Sequence, residues 1–239
     1  MVGRVPIARI NDVGIYHEVH GDGEPVLLIG GLGSDLSMVG GIVARLAQGS
    51  KVVAFDNRGA GRSDKPDAPC SIEMMAGDTL GLMDVLGIPR AHLVGISMGG
   101  SIALELALGH PDRVQGLVLV SASARKPARL TLSAPMRVAH LLRSPPMFRG
   151  RYPQPEYVHQ RQREASRAYD CTGRLAGVDA PTLILHGRRD RTVPSSLAEE
   201  MHDRIGGSKL VMFDGGHMFF LTRERTEFLD RVAAFVADR

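Results

Sequence analysis

Ser97 lies between Gly95 and Gly99 in the stretch "HLVGISMGGSIALELAL", residues 92–108. An apolar run stops at the serine, and an apolar run of helical period follows at once. A serine at a tight strand-to-helix turn is held proud of the chain, where bulky neighbours two residues away would clash. Glycine removes that clash. The helix beginning at Ser97 would also point its positive N-terminal end at a developing negative charge. These are the conditions a nucleophile needs.

A serine hydroxyl attacks a carbonyl only if a base takes its proton, and the base needs an acid to orient it. Of the nine histidines, His217 fits best as base: it follows the apolar run "KLVMF" (209–213) in the glycine-flexed loop "DGGH". His186 is the rival, because it ends the run "TLILH" (182–186), but no free loop carries it toward Ser97. The orienting acid is Asp190, in "HGRRDRTVP" (186–194), placed 27 residues before His217. The competing position follows "GLVLV" (116–120); it reads "SASARKPARL" and holds no acid. The implied chemistry is acyl transfer: Ser97 attacks a carbonyl, and water then releases the acyl group. The tetrahedral intermediate needs N–H donors for its oxyanion. One should be the backbone N–H of Met98, next after the nucleophile; the second should come from the loop after "PVLLIG" (25–30).

The elements that must position these residues are legible as alternation. Residues 5–10 and 13–19 read as a β-hairpin, and short apolar runs follow at 25–30, 51–55, 92–96, 116–120, 182–186 and 209–213. Near-continuous apolar strands belong to a sheet covered on both faces, hence mostly parallel. Helical patterns lie between them at about 36–47, 71–86, 97–109, 195–205 and 223–237. The expected fold is α/β: an open sheet of about eight strands, mostly parallel, with helices on both faces. Ligands of such sheets bind at the carboxyl ends of the strands. The loops "GGLGSD" (30–35), "DNRGAGRSD" (56–64) and those holding Ser97, Asp190 and His217 all fall there. Within "DNRGAGRSD", Asp56 and Arg58 are expected to brace loops rather than react.

The rhythm breaks between residues 122 and 178. Residues 1–121 and 179–239 are therefore read as one core domain, and 122–178 as an inserted lid. From Arg125 to Arg174 the insertion holds ten arginines and Lys126 against Glu156, Glu164 and Asp170, a net charge of +8 in a chain of +3. Clustered arginines beside a carbonyl-cleaving site suggest a substrate carrying a carboxylate, since the planar guanidinium can pair both of its oxygens. Arg137, Arg143, Arg149 and Arg151 are the candidates.

Overall composition excludes more than it selects. A net charge of +3 does not imply nucleic acid. No stretch has the apolar length of a membrane span, and the N-terminus lacks a signal-peptide core. Two cysteines make no disulfide framework, so a cytoplasmic location is expected. No phosphate-binding glycine motif and no metal-ligand spacing occur, so neither cofactor nor metal is expected. Oligomeric state is not legible.

The segments "GGLG", "DNRGAGRSD", "GISMGG", "HPDRV", "HGRRDRTVP" and "GGH" together resemble the α/β-hydrolase superfamily, in order and spacing over nearly the whole chain. The order Ser97, Asp190, His217 is the one that superfamily uses. Within it the motifs are similar to those of enol-lactone hydrolases, small carboxylesterases and cofactor-free perhydrolases. The resemblance implies that the second oxyanion donor is the N–H of Leu32, with Gly31 and Gly33 letting the backbone approach the substrate. Gly30 departs from the pattern, since relatives often carry histidine there. The resulting expectation is a serine hydrolase acting on a small ester or lactone. Perhydrolysis and carbon–carbon bond hydrolysis use the same triad and stay open, as does a small-ligand receptor on the same fold.

Overall fold

The computed structural model describes residues 6–126, 151–152 and 154–238. Eight strands form one sheet in the order β1-β2-β4-β3-β5-β6-β7-β8. Strands β1 (Ile7–Ile10) and β2 (Val13–His20) form the expected antiparallel hairpin, turning at Asn11 and Asp12 with positive φ. Strand β2 pairs antiparallel with β4 (Ser50–Phe55). All remaining pairings are parallel, through β3 (Glu24–Ile29), β5 (Ala91–Ile96), β6 (Val114–Val120), β7 (Thr182–Gly187) and β8 (Lys209–Phe213).

The continuous apolar runs arise because side chains alternate between two cores. On β3, Leu27 and Ile29 enter one core, while Val26 and Leu28 enter the other. On β6, Leu117 and Leu119 face one way and Val118 and Val120 the other. Helices α2 (Ile72–Val85) and α3 (Met98–Gly109) cover the first face, with Ile72, Met75, Leu82 and Ile102 buried against it. Helices α1 (Gly40–Leu46) and α6 (Arg225–Ala237) cover the second, with Ile42, Phe228 and Val232 fully enclosed. Fully burying each such side chain contributes about 1.5–3 kcal/mol.

Helix α4 is Glu156–Ala168 and α5 is Ser195–Arg204. Two expectations are refined. The pattern at 36–47 divides into a single 3-10 turn, Leu36–Met38, and helix α1. Asp35 caps that turn by accepting the Ser37 N–H, and Val39 at φ −113° ends it. The inserted segment contains the regular helix α4, whose start at Pro155 follows from the fixed φ of proline.

The order of strands reverses at β3: the chain moves from β3 to β4 on one side, then crosses to β5 on the other. That reversal opens a crevice between the loops after β3 and β5. Ser97 and the glycine loop 30–33 end on its two lips.

Candidate active site

Ser97 has φ +54° and ψ −116°, a conformation side chains rarely adopt. Its surroundings enforce it. A Cβ at Gly95 would collide with the carbonyl oxygen of Gly99, and one at Gly99 with the carbonyl oxygen of Ile29. One at Gly100 would collide with Ala122 Cβ. Helix α3 thus approaches the ends of β3 and β5 backbone to backbone and packs against Ala122, just beyond β6, so the turn before it has no room to relax. Gly99→Ala is accordingly expected to destabilise the protein by about 1–3 kcal/mol or more. Gly109→Ala, on the same helix where a Cβ meets nothing within 4 Å, should be neutral or slightly stabilising. Thermal unfolding midpoints check this; equal midpoints for the two variants would refute the close-packed turn.

His217 and Asp190 converge on Ser97. Ser97 Oγ lies 3.1 Å from His217 Nε2, and His217 Nδ1–H donates to Asp190 Oδ2 at 2.7 Å. Asp190 is buried, and its other oxygen accepts the backbone N–H groups of Thr192 and Val193, both at 2.8 Å. The turn after β7 therefore fixes one carboxylate oxygen and leaves the other to the imidazole. His186, the rival base, is fully buried behind this carboxylate. Its Nε2–H donates to the Val193 carbonyl at 2.9 Å and lies 3.4 Å from Asp190 Oδ2. Burial pushes its pKa below the usual histidine value, so it stays neutral there.

Ser121 was not singled out by its sequence context, yet it anchors the histidine loop. It is fully buried with φ +47°, and its hydroxyl donates to the His217 carbonyl at 2.8 Å. Its place directly after β6 was visible; the path that brings residue 217 over it was not.

Gly31 stands on the opposite lip. A Cβ there would lie 3.3 Å from both Ser97 Cβ and the Ile96 carbonyl oxygen. Gly33 has φ +70°, and His159 of helix α4 occupies the side where its Cβ would stand. The Gly33 N–H donates to Gln162 Oε1 at 3.0 Å, and Gln162 Nε2 donates to the Arg58 carbonyl at 2.9 Å. Buried Gln162 thus ties helix α4 to the loops after β3 and β4. At Gly30, a Cβ would lie 2.7 Å from the Ser34 hydroxyl, which donates to the Gly31 carbonyl at 2.9 Å. The N–H groups of Leu32 and Met98 donate to no group among the described residues.

Asp56 and Arg58 brace loops, as their positions suggested. Buried Asp56 accepts the N–H groups of Leu36 and Arg62, each at 2.8 Å. Arg58 forms a two-pronged ion pair with Asp78. The arginine expectation fares differently. Arg137, Arg143 and Arg149 lie outside the described residues, and Arg151 is exposed, with its backbone N–H donating to Ser37 Oγ at 3.0 Å.

A family model described as "alpha/beta hydrolase fold" matches residues 24–161, more than half of the chain. The chain belongs to the α/β hydrolase family. A second model, described as "TAP-like protein", matches residues 157–238. The chain is 31% identical to a protein of Azorhizobium caulinodans named for carbamate hydrolysis, RutD, over 90% of this chain and 92% of that one. Among solved structures it resembles the enol-lactonase from Burkholderia xenovorans LB400, with a TM-score of 0.84 and 26% identity over 98% of this chain and 100% of that one. It also resembles an esterase from Exiguobacterium antarcticum, with a TM-score of 0.83 and 25% identity over 98% and 100%. This α/β hydrolase thus shares its whole fold with small-molecule hydrolases. Among its described residues, no helix is long and apolar enough to cross a membrane.

Proposed function

We propose that this α/β hydrolase is a serine hydrolase that cleaves a small carboxylic ester or lactone through an acyl-enzyme intermediate. One observation carries the reading: the unbroken hydrogen-bonded line Asp190–His217–Ser97, ending at a strained turn. In this mechanism His217 Nε2 takes the Ser97 proton as Oγ attacks the substrate carbonyl. Asp190 holds the tautomer with Nδ1 protonated and stabilises the imidazolium that forms. The N–H groups of Met98 and Leu32 receive the oxyanion, and preorganised donors of this kind usually supply the largest catalytic contribution. Support for that pairing comes from Gly31, which lets the Leu32 loop approach Ser97, and from the absence of other acceptors for both N–H groups among the described residues. The leaving alkoxide takes its proton from His217. Water, activated by the same imidazole, then attacks the acyl carbonyl and frees Ser97. The described part of the insertion, helix α4, covers the glycine loop in this reading, and residues 127–150 of the expected lid lie outside the described residues.

A carbamate is the second substrate class, favoured by the name of the RutD relative. Its carbonyl is open to the same attack. Purified protein should therefore hydrolyse short p-nitrophenyl esters and small lactones, and should be labelled by a fluorophosphonate at Ser97. Ammonia release from an alkyl carbamate, faster than ester turnover, would favour the second class. The absence of both labelling and turnover of all these substrates would refute the proposal and point to a ligand-binding role.

A further inference from the structure

The loop that carries the Leu32 N–H is held by side chains that the triad chemistry does not use. Residues 31–34 form a β-turn, closed by the Ser34 N–H donating to the Gly31 carbonyl at 3.2 Å, with Gly33 at its third position and φ +70°. A positive φ there marks a type II turn and suits glycine. The turn's own bond is long for an N–H donor. A second donor reinforces it: the Ser34 hydroxyl reaches the same carbonyl oxygen at 2.9 Å. The Gly31 carbonyl and the Leu32 N–H belong to one peptide unit, which is planar and trans. The two groups of such a unit point in opposite directions, so whatever holds the carbonyl aims the N–H. Both Ser34 donors draw the carbonyl into the turn, and the Leu32 N–H is thereby directed out of it. The turn stands beside the nucleophile, since a Cβ on Gly31 would lie 3.3 Å from Ser97 Cβ.

The peptide units on either side are held as well. Asn57 Nδ2 donates to the Gly30 carbonyl at 3.0 Å, and the Gly33 N–H donates to Gln162 Oε1 at 3.0 Å. The units 30–31, 31–32 and 32–33 are thus fixed in turn by a residue of the loop after β4, by Ser34 and by helix α4. Gly30 makes room for the middle contact. A Cβ on residue 30 would stand 2.7 Å from Ser34 Oγ, while the next atoms, Ser34 Cβ and its carbonyl oxygen, are 3.9 Å away. The hydroxyl therefore uses the space that a side chain at residue 30 would fill. Gly30 is not among the residues with positive φ, so its lack of a side chain serves space rather than conformation.

We propose that Ser34 is a positioning residue of the oxyanion hole: its hydroxyl fixes the 31–32 peptide so that the Leu32 N–H meets the oxyanion formed at Ser97, and Gly30 leaves the room for it. The inference rests on the reading of Ser97 as nucleophile and Leu32 as donor. A donor is worth most when it is aimed before the charge develops. Ser34 acts through the peptide rather than on the substrate.

The test separates binding of the transition state from binding of the ground state. Ser34→Ala should lower kcat/KM for a short p-nitrophenyl ester about tenfold, less than the roughly 10²–10³ lost when a donor is removed outright. A trifluoromethyl ketone with the same acyl chain adds Ser97 Oγ at its carbonyl carbon, passes the serine proton to His217 and leaves an oxyanion in the hole. Its Ki should rise by a similar factor. The matching trifluoromethyl alcohol forms no adduct, and its Ki should not change. Gly30→Ala should act in the same direction, because its Cβ turns the hydroxyl off the carbonyl at little cost in stability, and it gives the same reading if Ser34→Ala does not fold. Added to Ser34→Ala it should cost nothing more, since both substitutions remove one bond. A loss in kcat/KM under about threefold in Ser34→Ala overturns the positioning role, as does an alcohol Ki that rises with that of the ketone, or losses that multiply in the double variant. Ester turnover that persists in Ser97→Ala overturns the nucleophile reading instead, so the two failures are distinguishable.

Discussion

Ser97→Ala is expected to lower kcat for a short ester by roughly 10⁴-fold or more while leaving the protein folded. The size of the loss follows from what the substitution removes. Ser97 Oγ is the atom 3.1 Å from His217 Nε2, and without it there is no acyl-enzyme. The residual rate belongs to water attack assisted by the oxyanion donors, which the variant keeps. The fold should survive because the strain at residue 97 is a backbone property, imposed by Gly95, Gly99 and Gly100 rather than by the hydroxyl. Ester hydrolysis within about threefold of wild type, in a protein with an unchanged unfolding midpoint, would remove Ser97 from the mechanism. Fluorophosphonate labelling should vanish in the same variant.

Asp190→Asn should cost on the order of 10⁴-fold in kcat, and the geometry supplies the reason. Asp190 Oδ1 accepts two backbone N–H groups, from Thr192 and Val193, so that position demands an acceptor. An asparagine must place its carbonyl oxygen there, which turns its NH2 toward His217 Nδ1. A donor facing Nδ1 selects the tautomer with the proton on Nε2, and that nitrogen then cannot take the proton of Ser97. The loss should appear in kcat at neutral pH, with circular dichroism and unfolding midpoint close to wild type. An unchanged rate would mean that another carboxylate orients the base. His186 cannot rescue the variant as a base. It is fully buried, and its Nε2–H is committed to the Val193 carbonyl.

Much of this was legible without coordinates, because the relevant signals are local. Alternation of apolar runs with helical periods reports burial on two faces of a sheet, and each strand read from the sequence lies within two residues of its observed bounds. The glycines around Ser97 report a turn that admits no side chain on either flank. Asp190 and His217 were readable because each follows a strand at the carboxyl edge, and in a parallel sheet every such loop opens on the same side. The empty loop after β6 removed the competing position for the acid.

Other features depend on pairs of residues far apart in sequence, and only the tertiary structure decides them. Ser121 meets the carbonyl of His217 across 96 positions, and Gln162 meets Gly33 across 129. Nothing in either local sequence encodes the partner; the contacts follow from sheet order and from where helix α4 docks. Charge pairing is the sharpest case. Sequence showed a basic insertion and pointed to its arginines. Whether a cation is free depends on which carboxylate lies nearby after folding: Glu200 neutralises Arg125, while Lys126, next in the chain, meets none among the described residues. Charge is a property of a residue, but its availability is a property of its neighbours, and neighbours are assigned by the fold.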